Sequence, residues 1–167
     1  MRPLVWLARI RHRRGYGIHS PSAFAFVMGV IYERGKYYAY EPLRRRYGLR
    51  CRRLRNARLL FRLANHVQPH TIIVPLHTAE AEQAHLQAGC MSARVVAAPL
   101  PADAILLCAA QRSMLIVPRL YEQRQLFEAI RQDKRVVVTY DLYDFGIALF
   151  DNTKIPQHYI INYETLY

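Results

Sequence analysis

Arg44, Arg45, Arg46, Arg52, Arg53, Arg55, Arg58 and Arg62 crowd one short stretch of the chain, joined by Arg50 and bordered by Tyr37, Tyr38, Tyr40 and Tyr47. A guanidinium is a planar fork that gives two hydrogen bonds to one phosphate, and an exposed phenol ring offers a face on which an unpaired base can stack. These residue types in this density point to capture of an anionic partner. The charge balance says the same. Residues 1–62 carry 16 Arg and Lys against two Glu, an excess of +14, whereas residues 63–167 carry 8 basic against 10 acidic groups, −2. So uneven a partition selects nucleic acid, phospholipid headgroups or an acidic protein surface as partner, RNA ahead of DNA or membrane. With about six arginines each meeting one phosphate, affinity is expected to fall ~10³ or more between about 50 and 200 mM salt.

The remaining constellations carry less chemistry. His66 and His70 have the i, i+4 spacing of zinc ligands, but Pro69 lies between them and no third ligand follows, so no metal is expected. His77 and His85 match no metal motif. Asp144-Phe145-Gly146 spells the kinase metal-binding triplet without a glycine-rich nucleotide loop, and reads as a hairpin turn. Ser92 and Ser113 lack the G-x-S-x-G setting of a nucleophile, and His19 beside Ser20 reads as a helix cap. Cys51, Cys90 and Cys108 form no CxxC pair and read as buried free thiols.

The elements that must position these residues fall into two parts of one expected domain. Residues 1–68 are basic and helical. Pro3 to Arg14 is a short helix, broken at Gly15-Tyr16-Gly17. Ser20-Pro21 opens a second, with Phe24, Val27, Met28 and Ile31 on its apolar face. Lys36 to Pro42 is irregular. A long helix follows from about Leu49 to His66, with Leu54, Ala57, Leu60, Phe61, Ala64 and Val67 on one arc and Arg52, Arg55, Arg58 and Arg62 opposite. Leu59 and Leu63 lie toward the basic side, which the N-terminal helices should therefore partly cover. From residue 69 the pattern becomes β. The runs 71–76, 93–98, 104–110 and 113–118 read as continuous apolar strands of a parallel sheet. Helices are expected at 79–88 and 121–132. A C-terminal hairpin (135–143 with 146–150) and a last strand at 157–163 follow, separated by Asp151 to Pro156. The expected fold is α/β: a three-layer, Rossmann-like, mostly parallel sheet with an antiparallel C-terminal hairpin, preceded by basic helices.

Certain segments carry a further likeness. Gly15-Tyr16-Gly17-Ile18-His19-Ser20-Pro21, Tyr37-Tyr38-Ala39-Tyr40, Leu59 to Asn65, Val138-Thr139-Tyr140-Asp141-Leu142 with Gly146-Ile147, and His158 to Ile161 resemble bacterial class I S-adenosylmethionine-dependent methyltransferases of the O-methyltransferase-like type. The likeness spans about two-thirds of the chain. It implies a methyltransferase-type sheet and a cofactor site at the end of the first strand. By position, His77 and Thr78 are the cofactor-binding candidates. The cofactor chemistry, however, needs a glycine-rich loop and carboxylates that the sequence lacks. The first strand runs into Val74-Pro75-Leu76-His77-Thr78-Ala79, the second ends in Ala97-Ala98-Pro99, and Pro118-Arg119 stand where later acids would be. Ala98 to Ala104 is too short for the usual helix-strand-helix insertion. The expectation is a shortened, non-catalytic methyltransferase-like domain, with no cofactor and no catalytic residue, binding RNA through its arginines. The alternatives are an S-adenosylmethionine-dependent O-methyltransferase with an atypical loop at His77 to Glu80, and a membrane-surface module using Leu4, Trp6 and Leu7 among Arg2, Arg9 and Arg11. The apolar stretch from Leu4 to Ala8 is too short for a signal-peptide core or a span, so a cytoplasmic protein is expected, with a homo- or hetero-oligomer as a further expectation.

Overall fold

A computed structural model describes residues 3–99, 102–150 and 156–163. Arg2 and the 151–155 connection lie outside the described residues. Helix α1 (Pro3–Ala8) and a 3-10 turn (Ile10–His12) replace the single helix expected there. Helix α2 (Pro21–Phe26) starts as its sequence dictates, with Ser20 Oγ accepting from the Ala23 N–H at 3.4 Å and Pro21 at the first position. It then widens into a π-helical turn, Val27–Ile31. Its buried face is Ala23, Phe26, Val27, Val30 and Ile31; Phe24 and Met28, expected inside, are exposed. The apolar residues of this helix surround most of its circumference, so the i, i+3, i+4 pattern had two solutions, and the one rich in β-branched residues faces the core. Helix α3 (Tyr40–Tyr47) begins inside the segment read as irregular and ends at Gly48 in the left-handed conformation. Helix α4 (Cys51–Val67) carries the arginines.

The sheet has six strands: β1 (Thr71–Pro75), β2 (Arg94–Ala98), β3 (Ser113–Pro118), β4 (Val136–Asp141), β5 (Phe145–Phe150) and β6 (Gln157–Ile160), in the order β2-β1-β3-β5-β4-β6. Five run one way. β5 alone opposes them, inserted between β3 and β4 by the tight 142–144 turn. Parallel neighbours need crossovers, and these are α5 (Glu80–Gly89) between β1 and β2 and α6 (Ala102–Leu107) between β2 and β3. The 104–110 run, read as a strand, is therefore largely helix. Its Ala and Leu residues favour helix, and a parallel step from β2 past β1 to β3 leaves no room for a further strand. Helix α7 (Arg124–Arg131) leads into β4, preceded by a 3-10 turn at Leu120–Glu122.

Side-chain alternation along the strands divides the interior in two. Ile72, Val74, Met114, Ile116, Ile147 and Leu149 pack beneath α2, the π turn, α4 and α5. Ile73, Leu115, Val117, Ala148 and Phe150 pack against α6 and α7. The architecture is helix–sheet–helix. Leu59 and Leu63 are fully buried against Phe26, Val27, Val30 and Ile31, so the N-terminal helices do cover that side of α4. Gly89 lets α5 press on α4: a Cβ there would collide with the Phe61 carbonyl oxygen. No helix among the described residues is long and apolar enough to cross a membrane.

Candidate anion-binding interface

The arginines of α3 and α4 divide into three groups by what holds them. The first is anchored to the hairpin. Asp144, 5 % exposed in the 142–144 turn, accepts both arms of the Arg52 guanidinium, one at 2.7 Å, and the Asn56 amide at 3.3 Å; Arg55 stands 3.9 Å away. Asp141, at the end of β4, takes Arg9 on both oxygens at 2.9 Å and Arg124 besides. The triplet read as a turn is thus also an electrostatic latch between the acidic hairpin and the basic helices. The sequence signal was available: two aspartates flank the tight turn of a hairpin that follows a chain segment with +14 excess charge.

The second group is tied up within the helices. Glu41 is shared by Arg44 at 2.9 Å and Arg58 at 3.7 Å. Arg62, placed on the solvated side by helical periodicity, is 6 % exposed. It donates to the Val30 carbonyl at 2.7 Å, the Ile31 carbonyl at 3.1 Å and the Tyr40 hydroxyl at 3.3 Å. The end of the π turn leaves carbonyls without intrahelical partners and a partial negative charge, and a buried cation answers both. The third group, Arg45, Arg46 and Arg53 with Arg50, is exposed.

The tyrosines are mostly structural. Tyr40 is buried, and Tyr37 packs at 5.1 Å on Phe61 and donates to Glu33 at 2.7 Å. That bond, stabilising the neutral phenol beside a carboxylate, pushes the Tyr37 pKa up to about 12. Tyr38 is 74 % exposed, its hydroxyl 3.2 Å from the Ala88 carbonyl. Of Tyr37, Tyr38, Tyr40 and Tyr47, only Tyr38 offers an open ring face for stacking.

His77 and Thr78 follow β1 at the point where the crossovers diverge, α5 on one face and α6 on the other. In open α/β sheets ligands occupy that crevice. Here the Gln123 amide nitrogen, just beyond β3, lies 3.1 Å from His77 Nε2. Thr78 is buried and its hydroxyl lacks a hydrogen-bond partner among the described residues. Glu80 and Glu82 occupy the first turn of α5, answering its dipole with their own charge and disfavouring an anionic ligand group there. Arg119 adopts a left-handed conformation and pairs with Glu122 at 3.2 Å. The loop from Leu76 to Ala79 has no glycine for close backbone approach, and the carboxylates nearest to it, Glu80 and Glu82, lie in the first turn of α5.

His66 and His70 are both exposed, and His66 packs edge-on against Phe26. Cys51 is exposed rather than buried, and no disulfide joins the three cysteines among the described residues. Compared with known proteins, the chain matches no family model, no curated protein and no solved structure.

Proposed function

We propose that this protein binds an anionic polymer, RNA in preference to DNA, on the α3–α4 face, and that it is not an enzyme. The observation that carries this reading is the surplus of guanidinium groups. Nine arginines and one glutamate lie between Tyr40 and Val67. Asp144 and Glu33, brought in from outside those helices, neutralise only part of the excess, and Arg45, Arg46, Arg50 and Arg53 remain at the surface. Exposed arginines on two adjoining helices suit a phosphate chain better than one small anion. With Tyr38 the exposed ring, contact is chiefly to phosphates and carries little sequence preference.

The same proposal takes the fold as a shortened methyltransferase-type, Rossmann-like sheet. The β2-β1-β3 order with crossovers on opposite faces and the reversed β5 support it. The enzymatic alternative keeps S-adenosylmethionine at His77 and Thr78. Calorimetric titration separates the two: no heat is expected from the folded protein, and saturable micromolar binding would restore the methyltransferase reading.

One observation favours a second mode of anion binding. Leu4, Leu7 and Ile10 are 80 %, 57 % and 44 % exposed, a stripe beside Arg11, Arg13 and Arg14. Trp6, counted with them from sequence, is instead half-buried beneath the Arg13 guanidinium. Sedimentation with anionic vesicles that L4E/L7E abolishes would establish this mode, and no sedimentation would remove it.

A further inference from the structure

A cleft of about 320 Å³ opens between the end of the π turn, α4 and Tyr163, which follows β6. Arg34, Arg55, Arg58 and Arg62 line it together with one carboxylate, Glu33. Four guanidinium groups against one lining carboxylate leave a positive excess, reduced from outside the cleft by Glu41, 3.7 Å from Arg58, and Asp144, 3.9 Å from Arg55, each of which is shared with a further arginine. Two of the four are held rigidly. Arg55 lies over the Tyr163 ring at 4.6 Å and Arg58 over the Tyr40 ring at 4.9 Å. Stacking fixes the guanidinium planes while leaving their N–H edges to point elsewhere.

Compensation within the cleft is incomplete. Arg62 has side-chain exposure of 7 %, and its carboxylate neighbour Glu33 stands 3.9 Å away, beyond hydrogen-bond distance. Glu33 is itself engaged by the Tyr37 hydroxyl and the Gly35 N–H. Arg58 Nε is buried without a hydrogen-bond partner among the described residues. A buried donor on a charged group, left unmade, is costly and calls for an acceptor. Arg34 stands exposed at the rim.

We infer that this cleft is a receptor for a phosphomonoester, the doubly charged phosphate accepting from Arg58 and Arg34 with Arg55 and Arg62 supplying the surrounding field. The volume admits a phosphate with a sugar attached, which a bare chloride site would not need. The group has two natural sources, a free nucleotide or the 5′ end of an RNA strand. The inference does not depend on the polymer reading, since the cleft is separate from Arg45, Arg46 and Arg53.

The test is calorimetric titration of the full chain, at constant ionic strength, with inorganic phosphate, then uridine 5′-monophosphate, then uridine. Phosphate and the nucleotide should bind saturably and uridine should not. Arg58→Gln and, independently, Arg34→Gln should each weaken binding about tenfold or more. Arg94→Gln, which removes the same charge at the β2 edge, should leave it unchanged. Arg34 is exposed, so its variant keeps the test valid if the Arg58 change disturbs folding. A 5′-phosphorylated oligonucleotide that outbinds its 5′-hydroxyl twin about tenfold, with the advantage lost in Arg34→Gln, assigns the strand end as the source. Equal binding of the twins alongside nucleotide binding assigns the free nucleotide. Absent phosphate binding, or binding weakened equally by Arg94→Gln, overturns the inference whatever the polymer result.

Discussion

At Asp144 a carboxylate sits almost out of water with the Arg52 fork and the Asn56 amide on it. Its isosteric amide in Asp144→Asn would keep the volume, remove the charge and leave Arg52 and Arg55 facing a weaker acceptor. Breaking a buried pair from one side costs about 3 kcal/mol, more than the pair contributes net, because the remaining charges stay where they are. Urea unfolding of D144N should show that loss. Arg52→Gln should lose less, since its side chain is 36 % exposed and Asp144 keeps Asn56 and Arg55. Equal stability of D144N and wild type would mean the hairpin is not latched to α4 as described.

Elements were legible in the sequence where a single period dominated. The buried strand runs at 71–75 and 113–118, the α5 crossover and the C-terminal hairpin each had one strong pattern and one reading. Legibility failed where composition was two-sided. The 104–110 run is apolar throughout and is assigned by topology, and α2 could bury either of two faces. Arg62 failed for another reason: a charged residue is assigned outward by pattern, and only the position of the π turn creates carbonyls that draw it inside. The candidate arginines were legible as a cluster, but not which of them the acidic hairpin would occupy. At this scale Gly146 is the sharpest test of how β5 packs. A Cβ there would lie 2.6 Å from the Phe127 ring. Gly146→Ala should cost about 1–3 kcal/mol by overpacking, and adding Phe127→Leu should recover part of that loss. Purely additive effects would contradict the contact.

Across the whole molecule, twelve tyrosines and an unbalanced charge set the response to solvent. Burial raises the pKa of Tyr32, Tyr40, Tyr140 and Tyr163, and the bond to Glu33 raises that of Tyr37. For an acid whose folded pKa is raised, the unfolded chain releases its proton first. Stability is therefore lost as pH climbs above the unfolded value of about 10. Phenolate absorbance should titrate incompletely up to unfolding and then complete in one step; a smooth titration of all rings near pH 10 would contradict their burial. Arg52, Arg55 and Arg62 are held internally, which leaves about four exposed guanidiniums on α3 and α4 and a slope near −3 in log affinity against log salt for single-stranded RNA. The most direct measurement is fluorescence anisotropy of a labelled 5′-hydroxyl oligouridine between about 50 and 200 mM salt, with wild type and R45E/R46E/R53E. Wild type should lose about 50-fold in affinity across that range, and the triple variant should show no measurable binding. Affinity that ignores salt, or a triple variant that binds as wild type does, would contradict it.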